Sequence, residues 1–503
     1  MVDKKLMPRL PKPLLRSTRK RPTSSALKRF DVVLILHGHK SPDKLTLPGA
    51  SALGDMAKRT DNAGQVRAAL PEHPSTVLVA VELKSNMTSF EIDEQLGAAA
   101  ATLKSLHAAQ IALVIDIESL GDTAGAARRA VFALTVSRFD LPFFGKRKRR
   151  EPNIDITVFE PRKTDLQSTL ANARGNCMAR WLTALPPNKL DATGYADLCA
   201  ALAKRYGWQY KFISASMLKR RGAGAFTAVA QGNENNDAGI VCLKYRPKPQ
   251  SRHRKHVGLV GKGIIFDTGG TNLKPFDGML NMHIDMGGSA VAVGSLLALA
   301  EQNIDINLDV WLAITENRTS ASAYKSQDVV TALNGMTIQT IHTDAEGRMV
   351  LADTLTLASR EKPDCILDFA TLTGACVNAV TTRYAGVFTN RGALHSLLTQ
   401  NGIDSGERVW PFPIGGEFRR MLKSDTADIQ QCSPGGGGDH ILAATFLSEF
   451  VDDKIPWVHM DLSAVEHKGG LGAVTTSITG FGVRYTVDLI NEHLAELVRA
   501  KKS

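Results

Sequence analysis

Four carboxylates and two lysines stand on three glycine-rich segments of this 503-residue chain. The first segment, His256–Pro275 (HVGLVGKGIIFDTGGTNLKP), sets Lys262 inside an apolar run, Asp267 at its end and Lys274 beyond a Gly269-Gly270 turn. The second, Asn281–Ala290 (NMHIDMGGSA), sets Asp285 just before Gly287-Gly288. The third, Ile341–Asp353 (IHTDAEGRMVLAD), separates Asp344 and Glu346 by one residue on a loop and follows them with Gly347 and Arg348. Each has a plain reading. A lysine in an apolar strand costs desolvation as an ammonium, so Lys262 is a snorkelling or ion-paired side chain, or else an amine bound to a cation. Asp285 alone fits a helix cap, His283 a locally satisfied histidine, and an isolated D-x-E a solvated loop. Together, however, Asp267, Asp285, Asp344 and Glu346 lie at the ends of elements of one domain and would repel one another unless cations sat between them. Oxygen-rich ligation with one amine suits Mn, Mg or Zn, and bridging carboxylates suit two ions roughly 3.5–4 Å apart. Such sites cleave amides and phosphate esters alike. Chemistry alone therefore gives a di-metal hydrolase.

The elements that must hold these residues alternate between strand and helix. Asp31–His37, Thr76–Leu83, Ile111–Ile117 and Ile154–Glu160 read as strands, with helices over Phe90–Ala109 and Thr123–Phe139. A long helix over Leu166–Ala184 ends at Pro186-Pro187. A second series follows, with strands at Gln209–Ser214, Gly239–Tyr245, His256–Gly263, Leu308–Glu316 and Cys365–Ala370 and helices at Gly288–Gln302 and Met349–Arg360. The predicted fold class is α/β in two domains, the larger C-terminal catalytic one built on a central mixed sheet flanked by helices. The boundaries are a basic, disordered tail at 1–28, an N-terminal α/β domain at 29–161, a linking helix at 162–185 and the catalytic domain at 186–503. The N-terminal domain carries no chemical constellation, so regulation or assembly is its default role.

Composition narrows the class. The net charge of +11 is concentrated at the start: residues 1–30 hold ten basic side chains against Asp3 alone. This reads as a solvated arm, with binding of nucleic acid or another polyanion as the sharper alternative. Lys146–Arg150 (KRKRR) and Lys244–Lys255 read as basic surface loops, and Gly435–Gly438 as a mobile glycine run. No run approaches the roughly 18 apolar residues of a membrane span, so no membrane partner is expected. Six cysteines without a CxxC pair read as small core residues in a reducing, cytoplasmic compartment. HExxH, GxSxG and a complete phosphate-binding loop are absent from the sequence, which removes three common catalytic designs.

The three segments closely resemble the cytosolic leucyl aminopeptidases. His342–Arg348 (HTDAEGR) departs from that family's signature only at its first position, and the likeness continues through Ala370–Ala375 (ATLTGA) and Thr479–Arg484 (TGFGVR). It runs from about Pro186 to the C-terminus. The resemblance implies two divalent ions, manganese or zinc with magnesium also admissible. One would be held by Lys262, Asp267, Asp285 and Glu346, the other by Asp267, Asp344 and Glu346. It further implies removal of an N-terminal residue, leucine or another, from peptides with a free N-terminus by metal-activated water. Lys274 would stabilise the oxyanion, and Arg348 would hold a bicarbonate that shuttles the proton. Met282, Thr371 and Gly374 would line the pocket for the first side chain, where Glu466 departs from the usual pattern. A homohexamer is implied as well. Two competing readings are a DNA-binding or architectural protein using the basic tail and loops, and a di-metal phosphoesterase, against which Lys262 and the ATLTGA run argue.

Overall fold

A computed structural model describes residues 6–59, 64–116, 119–146, 154–159, 164–235, 237–249, 251, 253–435 and 437–501. Two compact units emerge. One comprises Met1–Pro8, Gly175–His467 and Gly480–Ser503, the other Arg9–Arg174 and Lys468–Thr479.

The smaller unit is built on strands β1 (Leu14–Thr18), β2 (Val32–His37), β3 (Gln65–Leu70), β4 (His73–Glu82), β5 (Gln110–Ile115) and β6 (Asp155–Phe159), in the order β1-β6-β5-β2-β4-β3. Every residue of β2 is buried, as expected of a central strand in a largely parallel sheet. Helix α1 (Ser89–Ser105) starts with a capping box: Glu91 N–H donates to Thr88 Oγ1 at 3.3 Å, and Thr88 N–H donates to Glu91 Oε2 at 2.7 Å. Helix α2 (Thr123–Ser137) packs beside it. The disordered tail expected over 1–28 is corrected for residues 6–28, since β1 lies parallel to β6 as an edge strand and a short helix spans Ser24–Leu27, while residues 1–5 lie outside the described residues. The physical reason is apolar. Leu6, Leu10 and Leu27 are buried, while the intervening basic side chains face solvent. Residues 147–150 of the basic run, and Gly436 of the glycine run, lie outside the described residues.

Helix α3 (Gln167–Thr183) leads into the larger unit. Its strands are β7 (Gln209–Ser214), β8 (Gly239–Tyr245), β9 (His256–Asp267), β10 (Asn307–Asn317), β11 (Val329–Thr331), β12 (Thr337–Gln339), β13 (Cys365–Ala370), β14 (Ala385–Thr389), β15 (Val409–Pro411), β16 (Ile429–Gln430) and β17 (Trp457–Asp461). Eight of them form a mixed sheet in the order β15-β14-β17-β13-β9-β10-β8-β7, while β11, β12 and β16 make a small separate sheet. Helices α4 (Gly287–Glu301) and α5 (Glu346–Arg360) follow β9 and precede β13 respectively. Helices α6 (Gly374–Val380), α7 (Asp439–Ser448) and α8 (Val483–Arg499) complete the set used below. Successive strand residues point to opposite faces. In β9, Gly261 meets Ser289 of α4 and the next residue, Lys262, meets Gly347 of α5, so helices cover both faces of the sheet.

The close approach of α4 to β9 and β13 depends on glycine. A Cβ on Gly288 would lie 2.1 Å from Phe369 O, and one on Gly261 would lie 2.5 Å from Ser289 Cα. The segment containing α4 is apolar and long enough to cross a membrane by composition, yet most of it is buried inside the protein. It is a core helix. The basic connector after β8 is heavily ion-paired: Lys244 lies 3.0 Å from Asp309 and 2.9 Å from Glu361, Arg246 2.5 Å from Asp309 and Lys255 3.0 Å from Asp364, while Arg254 pairs with Asp305. All six cysteines are buried thiols outside any disulfide.

Candidate metal centre

Ligands in open α/β sheets gather at the carboxyl ends of the strands, where the strand order reverses. Here β10 and β13 flank β9, both parallel to it, so the chain leaves β9 to one side and later returns to the other. Asp267 ends β9, Asn317 ends β10 and pairs in register with Asp267, and Thr371 follows β13 directly. All three emerge at one edge.

Asp267 is fixed before any ion arrives. Its Oδ1 accepts hydrogen bonds from Gly269 N–H and Asn317 Nδ2, both at 2.8 Å. The turn behind it needs glycine: Gly269 and Gly270 sit at φ +88° and +66°, and a Cβ on Gly269 would lie 2.4 Å from Asn272 O. Asp285 belongs to a 3₁₀ turn, Met282–Met286, and does not cap α4. Its Oδ1 accepts instead from Lys262 Nζ at 2.9 Å and from Thr371 Oγ1 at 2.8 Å. Glu346, expected on a loop, is the first residue of α5, where the helix dipole favours a negative charge. Asp344 stays on the preceding loop, which Thr343 pins through Thr343 Oγ1–H to Gly269 O at 2.6 Å and Thr343 N–H to Asn272 Oδ1 at 2.8 Å.

The oxygens of Asp267, Asp344 and Glu346 lie within 4.8 Å of one another. Among the described residues they are the group with metal-competent geometry, and His283 stands outside it. Asp285 joins them through Lys262, whose Nζ is 2.8 Å from Asp285 Oδ2, 2.9 Å from Glu346 Oε1 and 2.8 Å from Thr371 O. Lys274 Nζ lies 2.9 Å from Asp267 Oδ2 and 2.5 Å from Asp344 Oδ1. Burial works against both ammonium groups, but the surrounding carboxylates outweigh it and hold both above the ordinary lysine value. Four carboxyl groups face these two ammoniums, and burial, with the neighbouring carboxylates, pushes Asp285 and Asp344 up from the ordinary carboxylate value, so the acids crowd one another beyond what the lysines relieve. A buried, oxygen-rich set crowded in this way fits a hard or borderline divalent cation.

Of the expected pocket residues, Thr371 touches the cluster through its bond to Asp285. Met282 is half-buried on the Asp285 turn, and Gly374 opens α6, with nothing within 4 Å of a Cβ placed on it. A Cβ on Gly287 would meet Val465 Cγ2 at 2.8 Å and Thr371 Cγ2 at 3.4 Å, so the segment after β17 also reaches this edge. The half-buried Glu466 follows Val465. Arg348 sits in the first turn of α5, fully buried, with its guanidinium on Asp439 and on Gln431 O.

Sequence reading missed Asn317, Tyr324, Gln431 and Asp439. Asn317 Nδ2 also donates to Thr343 O at 3.0 Å, and Tyr324 O–H donates to the same carbonyl at 2.8 Å. A strand ending in a polar residue beside another ending in Asp267 was the available signal for Asn317. The others come from distant loops and had none.

Comparison with known proteins places these residues in context. A family model described as the catalytic domain of the cytosol aminopeptidase family matches residues 177–487. A protein of Parasynechococcus marenigrum described as "Probable cytosol aminopeptidase" is 37% identical over 407 residues, covering 79% of this chain and 82% of its own. Among solved structures, a mutant of tomato leucine aminopeptidase aligns with TM-score 0.84 at 26% identity, over 96% of this chain and 97% of that one. The bottromycin maturation enzyme BotP in complex with Mn aligns with TM-score 0.79 at 30% identity, over 94% of this chain and all of that one.

Proposed function

The chain belongs to the cytosol aminopeptidase family, and from that premise we propose how its own residues carry the family's metal-dependent exopeptidase chemistry. It is a metallo-aminopeptidase, and a cytoplasmic location goes with the family. The observation that carries the assignment of its centre is the convergence of Asp267, Asp344 and Glu346 within 4.8 Å.

We assign two divalent ions to this edge of the sheet. Lys262, Asp267, Asp285 and Glu346 would hold one, the Lys262 ammonium giving up a proton to do so, and Asp267, Asp344 and Glu346 would hold the other. Manganese is favoured by the manganese complex of the BotP relative, with zinc the alternative. Bound ions would polarise the scissile carbonyl and lower the pKa of water. The chain's own groups do the rest. Asn317 holds Asp267 and reaches Glu346 Oε2 at 3.4 Å, so the carboxylates keep their spacing. Lys274 keeps an ammonium beside Asp267 and Asp344, placed to stabilise negative charge developing on the carbonyl oxygen. Met282, Thr371 and Gly374 receive the first side chain, with Glu466 bearing on its preference. The substrate is a peptide with a free α-amine, and the assembly is a homohexamer, which light scattering tests.

The deciding experiment measures release from leucine amide and from its N-acetylated twin, with manganese added or with chelator. Release from the free-amine compound alone, abolished by chelator and restored by metal, is the expected result. Equal release from both compounds would sink the exopeptidase reading of the site.

A further inference from the structure

The guanidinium of Arg348 already has an anion. Its Nη2 donates to Asp439 Oδ2 at 2.6 Å, and its Nη1 donates to Gln431 O at 3.2 Å. Gln431 also ties down the loop that carries Asp344: its Nε2 donates to Ala345 O at 2.9 Å, and its Oε1 accepts from Ile341 N–H and His342 N–H at 3.1 and 3.2 Å. Arg348 is 1% exposed, whereas the Asp439 side chain is 28% exposed. The carboxylate therefore spans from a wholly buried cation to solvent. Asp439 is also the first residue of α7, a position that stabilises negative charge. A free bicarbonate on Arg348, as the family resemblance implies, would have to compete with a charge-assisted bond made by a side chain of the same chain, or settle for the buried Nε, the guanidinium nitrogen left without a partner.

We propose that Asp439 is the resident anion of Arg348, so that this chain carries as a side chain the carboxyl group that bicarbonate would otherwise bring. The proposal rests on the aminopeptidase reading only for its effect on turnover. Occupancy of Arg348 is a separate property, and it has its own readout.

Two measurements test it. In the first, the metal-loaded enzyme hydrolyses leucine amide in carbon-dioxide-depleted buffer, with and without added bicarbonate or formate. Wild-type turnover is expected to be unchanged by either anion. Asp439→Ala is expected to lose roughly tenfold or more in kcat and to recover saturably with added anion. Asp439→Asn, which keeps the side-chain volume, serves the same comparison if the alanine variant folds poorly. In the second, thermal unfolding of the metal-free proteins is followed against bicarbonate and formate concentration. The variants should start lower in Tm and rise saturably, while the wild type stays flat.

Stimulation of the wild type by bicarbonate overturns the proposal. So does full activity of both variants in depleted buffer, or an identical Tm response in wild type and variants. If no protein releases leucine, the proposed function has failed while the unfolding series still decides the anion site.

Discussion

At the scale of single residues, Glu346 and Lys262 separate chemistry from stability. Glu346 belongs to the converging carboxylate trio and also pairs with Lys262. Glu346→Gln keeps its shape but gives up a charge, so metal content, read by elemental analysis, should fall and leucine amide hydrolysis should drop by about 10³-fold or more. Lys262 instead neutralises Asp285 and Glu346 in the absence of metal. Lys262→Met leaves buried carboxylates without their counter-charge, and urea unfolding of the metal-free protein should show a loss of about 3 kcal/mol. An unchanged midpoint would mean that the ammonium adds nothing to the fold. The trio and Asp285 were legible because acids beside glycines at strand and helix ends are conspicuous in a sequence. Asn317 was not, since its meaning comes only from the register of β10 against β9. Asp439 was hidden further still, 91 residues along the chain from the arginine it holds.

At the scale of elements, contact distance and helix starts decide the outcome. Gly288→Ala would drive a methyl into the Phe369 carbonyl and push α4, with the Asp285 turn ahead of it, away from β13. We expect a loss of about 1–3 kcal/mol, with weaker metal retention in the same variant, measured by chemical unfolding and dialysis. Helix α8 depends on a buried acid: Glu407 Oε2 accepts from Gly482 N–H at 2.9 Å and from Tyr485 N–H at 2.8 Å. Burial pushes the Glu407 carboxyl up to about 7, against the pull of Arg484 and the two N–H groups. An unfolded glutamate titrates near 4.3, so the native state holds the extra proton between these values. The contribution of Glu407 to stability is thus fully present below the unfolded pKa and is lost as pH rises through about 7. Relative to Glu407→Gln, the wild-type urea midpoint should fall between pH 5 and pH 8; a constant difference would refute this. The long strands and α4 were legible through their apolar runs. Strands such as Ile429–Gln430 and Val409–Pro411 are too short to show a period and are defined only by their partners. The start of α5 at Glu346 was missed because the first turn of that helix is polar and functional rather than apolar.

At the scale of the whole molecule, charge misled where burial did not. The first 28 residues look like a solvated arm, yet Leu27 is fully buried and β1 extends the sheet through β6. Deleting residues 1–28 should lower the Tm by several degrees and expose dye-binding apolar surface, whereas a dispensable tail would leave both unchanged. Two α/β units were foreseeable from the alternation of strand and helix patterns. Their membership was not, because Lys468–Thr479 is grouped with the smaller unit though it lies late in the chain. The polypeptide therefore passes between the units after Pro8, Arg174, His467 and Thr479. A single recombination breakpoint in the gene cannot exchange one unit for a foreign counterpart without also splitting it. On this connectivity a transplant of the smaller unit would have to carry Lys468–Thr479 together with Arg9–Arg174, and so would need several junctions at once.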